Sequence, residues 1–224
     1  MKKITAILLA LIMLLSLSSC TSSNVNGKIE TENETENTTE ENTGFSVGTV
    51  SGGKYTNEYF GIGCELGEDW VFANEDEIRQ LNEKVIDNLG EVLGDDYEMA
   101  LEDAPYVTDM LASNQTTASS ININIENSGP QGLLMSVDDY MDAADKDLAD
   151  TLYGLGIDNL SVERATYDFA GKTQKAFKVT GDYLGLDFEE ILLVIKKGAR
   201  FVSISITSYF GNAEEILDLF YAVD

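Results

Sequence analysis

The amino-acid sequence predicts an α+β fold, an antiparallel β-sheet flanked by helices on both faces. Three observations carry that expectation. Two segments pair a capping residue with an acidic side chain three positions on and then place apolar residues three or four apart, which lays one apolar stripe along a helix. Between residues 161 and 208, four strand-like runs are separated by Gly171-Lys172, Leu184-Gly185 and Lys197-Gly198, each suited to a tight hairpin. Within them Ile191-Leu192-Leu193-Val194-Ile195 is apolar at every position, the pattern of a central strand covered from both sides.

The chain opens on a segment outside that fold. Lys2 and Lys3 precede the apolar run Ile4 to Leu17, broken only by Thr5 and Ser16. Such a run is shorter than the roughly 20 residues of a spanning helix and suits the core of an export signal. It ends in Leu17-Ser18-Ser19-Cys20, which resembles the lipobox of bacterial lipoproteins. The resemblance implies cleavage before Cys20, residues 1–19 being the signal, and diacylation of its thiol. More than one acyl chain on that cysteine holds a protein durably to a membrane. The expected location is the extracytoplasmic face of the cell membrane.

Residues 20–53 form the next expected unit, a lipidated cysteine and a disordered acidic tether. Val25, Ile29, Phe45, Val47 and Val50 are its only large apolar side chains among repeated Thr, Asn and Glu. That composition cannot offset the entropy of ordering a chain. Residues 54–224 are then a single α+β domain, long enough to bury a substantial core.

Within the domain, Tyr55 to Phe72 reads as short strands around a Gly67-Glu68-Asp69 turn. A helix follows, with Asn74 as cap, Glu77 in capping-box spacing and Ile78, Leu81, Val85, Leu89 and Val92 as its stripe. Val107 to Gln115 and Ala118 to Asn127 read as neighbouring strands, the second alternating Ile121, Ile123 and Ile125 with Asn122, Asn124 and Glu126. Ser136 caps a second helix with Asp139 at its third position, ending at Gly154 or Gly156. The four-strand run follows, and Asn212 with Glu215 opens a closing helix whose stripe is Ile216, Leu219, Phe220 and Val223.

An opening Tyr55-Thr56-Asn57, then Tyr59-Phe60-Gly61-Ile62, Trp70, a long first helix and a closing helix after a four-strand meander resemble the PsbP-like α/β/α sandwich. The resemblance spans residues 54 to 224, with Gly67-Glu68-Asp69 standing where the family usually has a proline before the tryptophan. It implies a module that binds proteins or assists assembly, and it carries no functional residue to a position in this chain.

Charge narrows the partners. The totals are 14 basic and 40 acidic residues; without Lys2, Lys3, Lys28 and the six glutamates of the tether, 11 and 34 remain in the domain. Nucleic acid and anionic lipid surfaces would be repelled. With Cys20 lipidated, Cys64 is the only other cysteine, no intramolecular disulfide can form, and the alternation of Ile62, Cys64 and Leu66 makes it a core residue. The chain has no histidine, which removes Ser-His chemistry and the common zinc sites. No metal and no cofactor is expected.

Gly171-Lys172-Thr173 spells the tail of a phosphate loop, but Thr166 stands where the loop needs glycine and a strand follows, so it reads as a hairpin turn. Asp138, Asp139, Asp142, Asp145, Asp147 and Asp150 crowd the second helix, and Gly94-Asp95-Asp96-Tyr97-Glu98 is an acidic loop. Both read as solvated acidic faces, with calcium the alternative. The function expected is a non-enzymatic binding or assembly module for an envelope protein or glycan, with Tyr97, Tyr106, Tyr183 and Tyr209 as candidate contact aromatics. The alternative is a carboxylate-based or calcium-dependent hydrolase at the cell surface.

Overall fold

Two antiparallel sheets, where one was expected, organise the chain. The structure is a computed structural model that describes residues 44–93, 104–210 and 212–223. Cys20 with its signal, the tether up to residue 43 and the Gly94 to Glu98 loop with Tyr97 lie outside the described residues. In chain order the strands are β1 (Thr49–Ser51), β2 (Lys54–Asn57), β3 (Ile62–Glu65), β4 (Trp70–Phe72), β5 (Tyr106–Asn114), β6 (Ser120–Asn127), β7 (Ile157–Phe169), β8 (Lys172–Tyr183), β9 (Leu186–Lys197), β10 (Arg200–Ser208) and β11 (Phe220–Ala222). The helices are α1 (Glu75–Leu93), α2 (Gly129–Gly132), α3 (Val137–Gly154) and α4 (Ala213–Leu217). A four-stranded sheet runs β1-β2-β3-β11 and a seven-stranded one β4-β5-β6-β10-β9-β8-β7.

Local chemistry explains most of these elements. The β7–β8 and β8–β9 loops place both central residues at positive φ, Ala170 (+47°) with Gly171 (+74°) and Leu184 (+52°) with Gly185 (+83°), the two-residue turn whose twist matches paired strands. At α1 the Asn74 side chain accepts from the Glu77 N–H at 3.0 Å while Glu77 accepts from the Asn74 N–H at 2.8 Å. At α3, Ser136 and Asp139 make the same reciprocal pair. Each cap contributes about 1 kcal/mol. Of the stripe expected on α1, Ile78 and Leu81 are half-buried; Val85, Leu89 and Val92 have side chains outside the described residues.

Alternation along the strands divides the core. Ile191, Leu193 and Ile195 of β9 point to one side with Ile121, Ile123, Ile125, Val202, Ile204 and Ile206. There they meet Tyr55, Ile62 and Cys64 of the small sheet and Ile216 and Leu217 of α4. On the other side Leu192 and Val194 join Phe177, Val179 and Phe201 against Met141, Ala144, Leu148 and Leu152 of α3. The two faces thus carry different covers: α3 on one, the small sheet with the single turn of α4 on the other. The long helix α1 is fastened to the sheet at β5, where Asn82 bonds the backbone of Thr108.

Two expected boundaries move. Phe220 to Ala222 is not helix but β11, pairing with β3 from Phe220↔Cys64 to Ala222↔Ile62. Asn212 makes no side-chain cap; its Oδ1 accepts from the Ser208 hydroxyl instead, and the edge of β3 gains a partner that five helical residues could not supply. The domain also starts before residue 54. Gly48 donates its N–H to Asp109 Oδ1 at 2.7 Å, Phe45 packs edge-on against Tyr59 at 5.4 Å, and the Arg200 guanidinium lies 3.7 Å from the Phe45 ring centroid. At Gly48 a Cβ would come within 2.3 Å of the Tyr55 ring, so only glycine fits. Residues 45–51 join the domain through the Phe45 ring, the Gly48 N–H and the pairing of β1 with β2, not through a hydrophobic stripe.

Candidate functional site

The α3-side face of the large sheet is polar over half its width. Side chains directly opposite one another in an antiparallel sheet share a face, so the strand registers assemble cross-strand rows. One row runs Thr108, Asn124, Ser203, Val194 and Lys175; the next runs Leu111, Asn122, Ser205, Leu192 and Phe177. A third contains Ser113, Ser120, Thr207, Glu190 and Val179. The apolar halves of these rows, on β8 and β9, pack against α3. The polar halves, on β5, β6 and β10, form a floor beyond it.

This floor is buried. Asn122, Asn124 and Glu190 are 4%, 1% and 2% exposed, and Ser203, Ser205 and Thr207 are also buried. The Ser205 hydroxyl donates to Glu190 Oε1. Glu190 Oε2 and both amide atoms of Asn122 and of Asn124 have no hydrogen-bond partner among the described residues. Burial pushes the Glu190 carboxyl above its ordinary range, with the Ser205 bond opposing. At the next row Tyr106 faces Glu126 and Phe201, and Tyr140 of α3 stacks on Phe201 with centroids 4.5 Å apart. Burial raises the Glu126 carboxyl too, against hydrogen bonds from Tyr140 and Ser128.

A second locus lies at the end of the sheet where the β8–β9 hairpin turns. Leu184 is 85% exposed at its tip, and Leu186 and Phe210 are exposed at the same end. Tyr183 and Tyr209 meet there with ring centroids 5.9 Å apart, and Phe188 lies 5.9 Å from Tyr209. Three carboxylates sit side by side on adjacent strands at the same end, Asp158 opposite Asp182 and Asp182 opposite Asp187. Like charges in directly opposed positions destabilise a sheet.

The residues singled out in the sequence disperse. Tyr183 and Tyr209 come together at the hairpin end, while Tyr106 is buried by the polar floor. Cys64 is buried in the core, its thiol pushed up to about 12 by burial. Of Gly171-Lys172-Thr173, Gly171 is the second residue of the β7–β8 turn and Lys172 and Thr173 open β8. The acidic helix face turns toward the outer strands: Asp138 takes Lys175 Nζ at 2.5 Å, and Arg164 reaches Asp142 at 2.7 Å and Asp145 at 3.3 Å. Asp139 is the third residue of α3 and completes the capping box with Ser136, its N–H donating to Ser136 Oγ at 3.1 Å. No group of three or more acidic or cysteine side chains among the described residues is arranged to hold a metal ion, and no described helix is long and apolar enough to cross a membrane.

The motif residues Tyr55 and Asn57 have a structural role. Tyr55 Oη and Asn57 Nδ2 donate to Asp109 Oδ2 at 2.5 and 2.8 Å, and Asn57 Oδ1 accepts from the Phe60 N–H at 2.9 Å. They tie the small sheet to the irregularity in β5 between Thr108 and Met110. Sequence reasoning missed Asp109 and the polar floor, although the strict Asn122, Asn124, Glu126 alternation was its visible signal.

No family model and no curated protein matches this sequence. Solved structures do match. The solution structure of cyanobacterial PsbP from Synechocystis sp. PCC 6803 is similar at a TM-score of 0.45 and 8% identity, over 83% of this chain and 98% of that one. A crystal structure from Bacteroides thetaiotaomicron is similar at 0.41 and 11%, over 78% of this chain and 50% of that one. LpqN of Mycobacterium tuberculosis, described as involved in cell envelope biogenesis, is similar at 0.40 and 10%, over 73% and 83%. At 8% to 11% identity and TM-scores of 0.40 to 0.45, these likenesses carry no residue role to this chain.

Proposed function

We propose that this protein is a non-catalytic binding module, held at the extracytoplasmic face of a membrane by lipid on Cys20, that docks an envelope protein through the β8–β9 end of its large sheet. One observation carries the reading. Leu184 sits at φ +52° and is 85% exposed, so it is unfavourable twice, as a side chain in the left-handed region and as a leucine in water. Asparagine there would relieve the strain by about 1 kcal/mol. A residue that costs stability at an exposed tip is a reason to look for a contact made by its side chain. Leu186 in the same hairpin and Phe210, next to Tyr209, are exposed at this end as well. The Asp158-Asp182-Asp187 row favours a partner that brings basic side chains to the rim, because such a partner relieves the cross-strand repulsion.

The experiment is affinity capture from the parent envelope fraction with the wild-type chain and with Leu184→Asn. The expected result is one specific protein retained by the wild type, lost above about 0.3 M salt and lost in the variant, while the variant melts slightly higher. Retention by Leu184→Asn equal to the wild type would overturn the docking surface. Mass spectrometry of the membrane fraction tests the anchor separately, and an unacylated Cys20 would remove it.

A further inference from the structure

We propose that Asn122 and Asn124 of β6, Ser203 and Ser205 of β10 and Glu190 of β9 form a binding site for a neutral polyhydroxylated ligand of the sugar class. The site is distinct from the β8–β9 docking end. Five polar atoms on three side chains, each at least nine-tenths buried, have no partner among the described residues. Buried polar atoms are normally paired, and leaving them bare forfeits their hydration. Each asparagine amide presents a donor and an acceptor together, so what completes them must offer both.

Charge then narrows the class. Asn122, Asn124, Ser203, Ser205, Thr207 and Thr108 are uncharged, and Glu190 is the one ionisable group among them. An anion would find no cation in these positions, within a chain of net charge −26. Among the described residues no three-carboxylate cluster exists for a metal ion. An apolar ligand would leave the amides bare. A neutral ligand with several hydroxyls satisfies every one of these constraints, since each hydroxyl both donates and accepts.

Asn122 and Asn124 are one pleat repeat apart, roughly 7 Å, and the three strands β6, β10 and β9 span roughly 10 Å, so the bare atoms are spaced to meet separate hydroxyls of one ligand. Tyr106, in the adjoining row, supplies aromatic carbon on one side, as the C–H faces of a sugar require.

The test uses the full chain, incubated to equilibrium because the floor is closed to bulk water, with glucose, N-acetylglucosamine and maltose. Sodium phosphate and calcium chloride serve as charged controls. At a hundredfold excess over the dissociation constant, at least one sugar raises the melting temperature by roughly 5 °C or more. Asn124→Leu, which removes two of the bare polar atoms, melts at or above the wild type and loses the response. Ser203→Ala, a smaller change, weakens it if Asn124→Leu does not fold. Leu184→Asn keeps the response, which separates this site from the docking end. The proposal is overturned if no neutral sugar shifts melting, if phosphate or calcium does so instead, or if the sugar response survives both floor substitutions. Stabilisation by Asn124→Leu with no sugar response would mean that the floor holds ordered water only.

Discussion

Burial raises the pKa of Glu190 and of Cys64, with different consequences. In the fold Glu190 keeps its proton at pH values where the unfolded chain has lost it, so the folded state binds more protons across that window. Stability therefore falls as the pH rises from the ordinary glutamate value of 4.5 through the raised folded value. Asp109 and Glu126, also raised by burial, act in the same sense. Asp139, held down by Ser136, and Glu214, held down by Lys178, act in the opposite sense at lower pH. The expected melting temperature is highest in mildly acidic buffer and declines toward neutrality. Glu190→Gln keeps an acceptor for Ser205 and cannot titrate, so its decline should be shallower; an equally steep decline would show that Glu190 is not the group responsible. For Cys64, a thiol pushed up to about 12 and fully buried is unreactive. Iodoacetamide should leave it unmodified in the native protein and alkylate it in urea, as mass spectrometry would read. The core role of Cys64 was legible in the sequence because strand alternation is local. The state of Glu190 was not, because it depends on what lies over β9.

At the scale of elements, the side chain of Asn82 ties α1 to the sheet. Asn82 Nδ2 donates to the Thr108 carbonyl at 2.9 Å, and Asn82 Oδ1 accepts from the Thr108 N–H at 2.7 Å. The amide thus takes the place of a neighbouring strand where β4, paired with β5 only from residues 112 to 114, has left the edge open. Asn82→Ala leaves two buried backbone groups without partners and should cost about 2 to 3 kcal/mol. Urea unfolding should then show a lower midpoint with an unchanged slope. The ends of α1 and α3 were legible because a capping box is written within four residues. Asn82 was not, since a polar residue in a helix reads as solvent-facing until its strand partner is known. The last helix was misread for a related reason. Ile216, Leu219, Phe220 and Val223 have helical spacing, yet the open edge of β3 recruits Phe220 to Ala222 as a strand, and pairing outweighs a short stretch of periodicity.

For the whole molecule, the contribution of residues 44–53 is the testable point. A chain beginning at residue 54 loses β1, the Phe45 contact with Arg200 and the Gly48 N–H on Asp109. It should melt several degrees below one beginning at residue 44, by roughly 2 kcal/mol or more. Equal melting temperatures would restore the boundary at 54. By itself the sequence determined what is encoded over a few residues: the caps at Asn74 and Ser136, the turns at Gly171 and Leu184-Gly185, the doubly covered β9 and the burial of Cys64. Period-two alternation also told that Asn122 and Asn124 share a face. Only the tertiary structure decided that Ser203 and Ser205 share that face with them, that the chain divides into two sheets, and that Leu184 and Phe210 reach the same end. Those facts depend on which strands pair and in what register, and pairing is a choice among distant segments that no local pattern specifies.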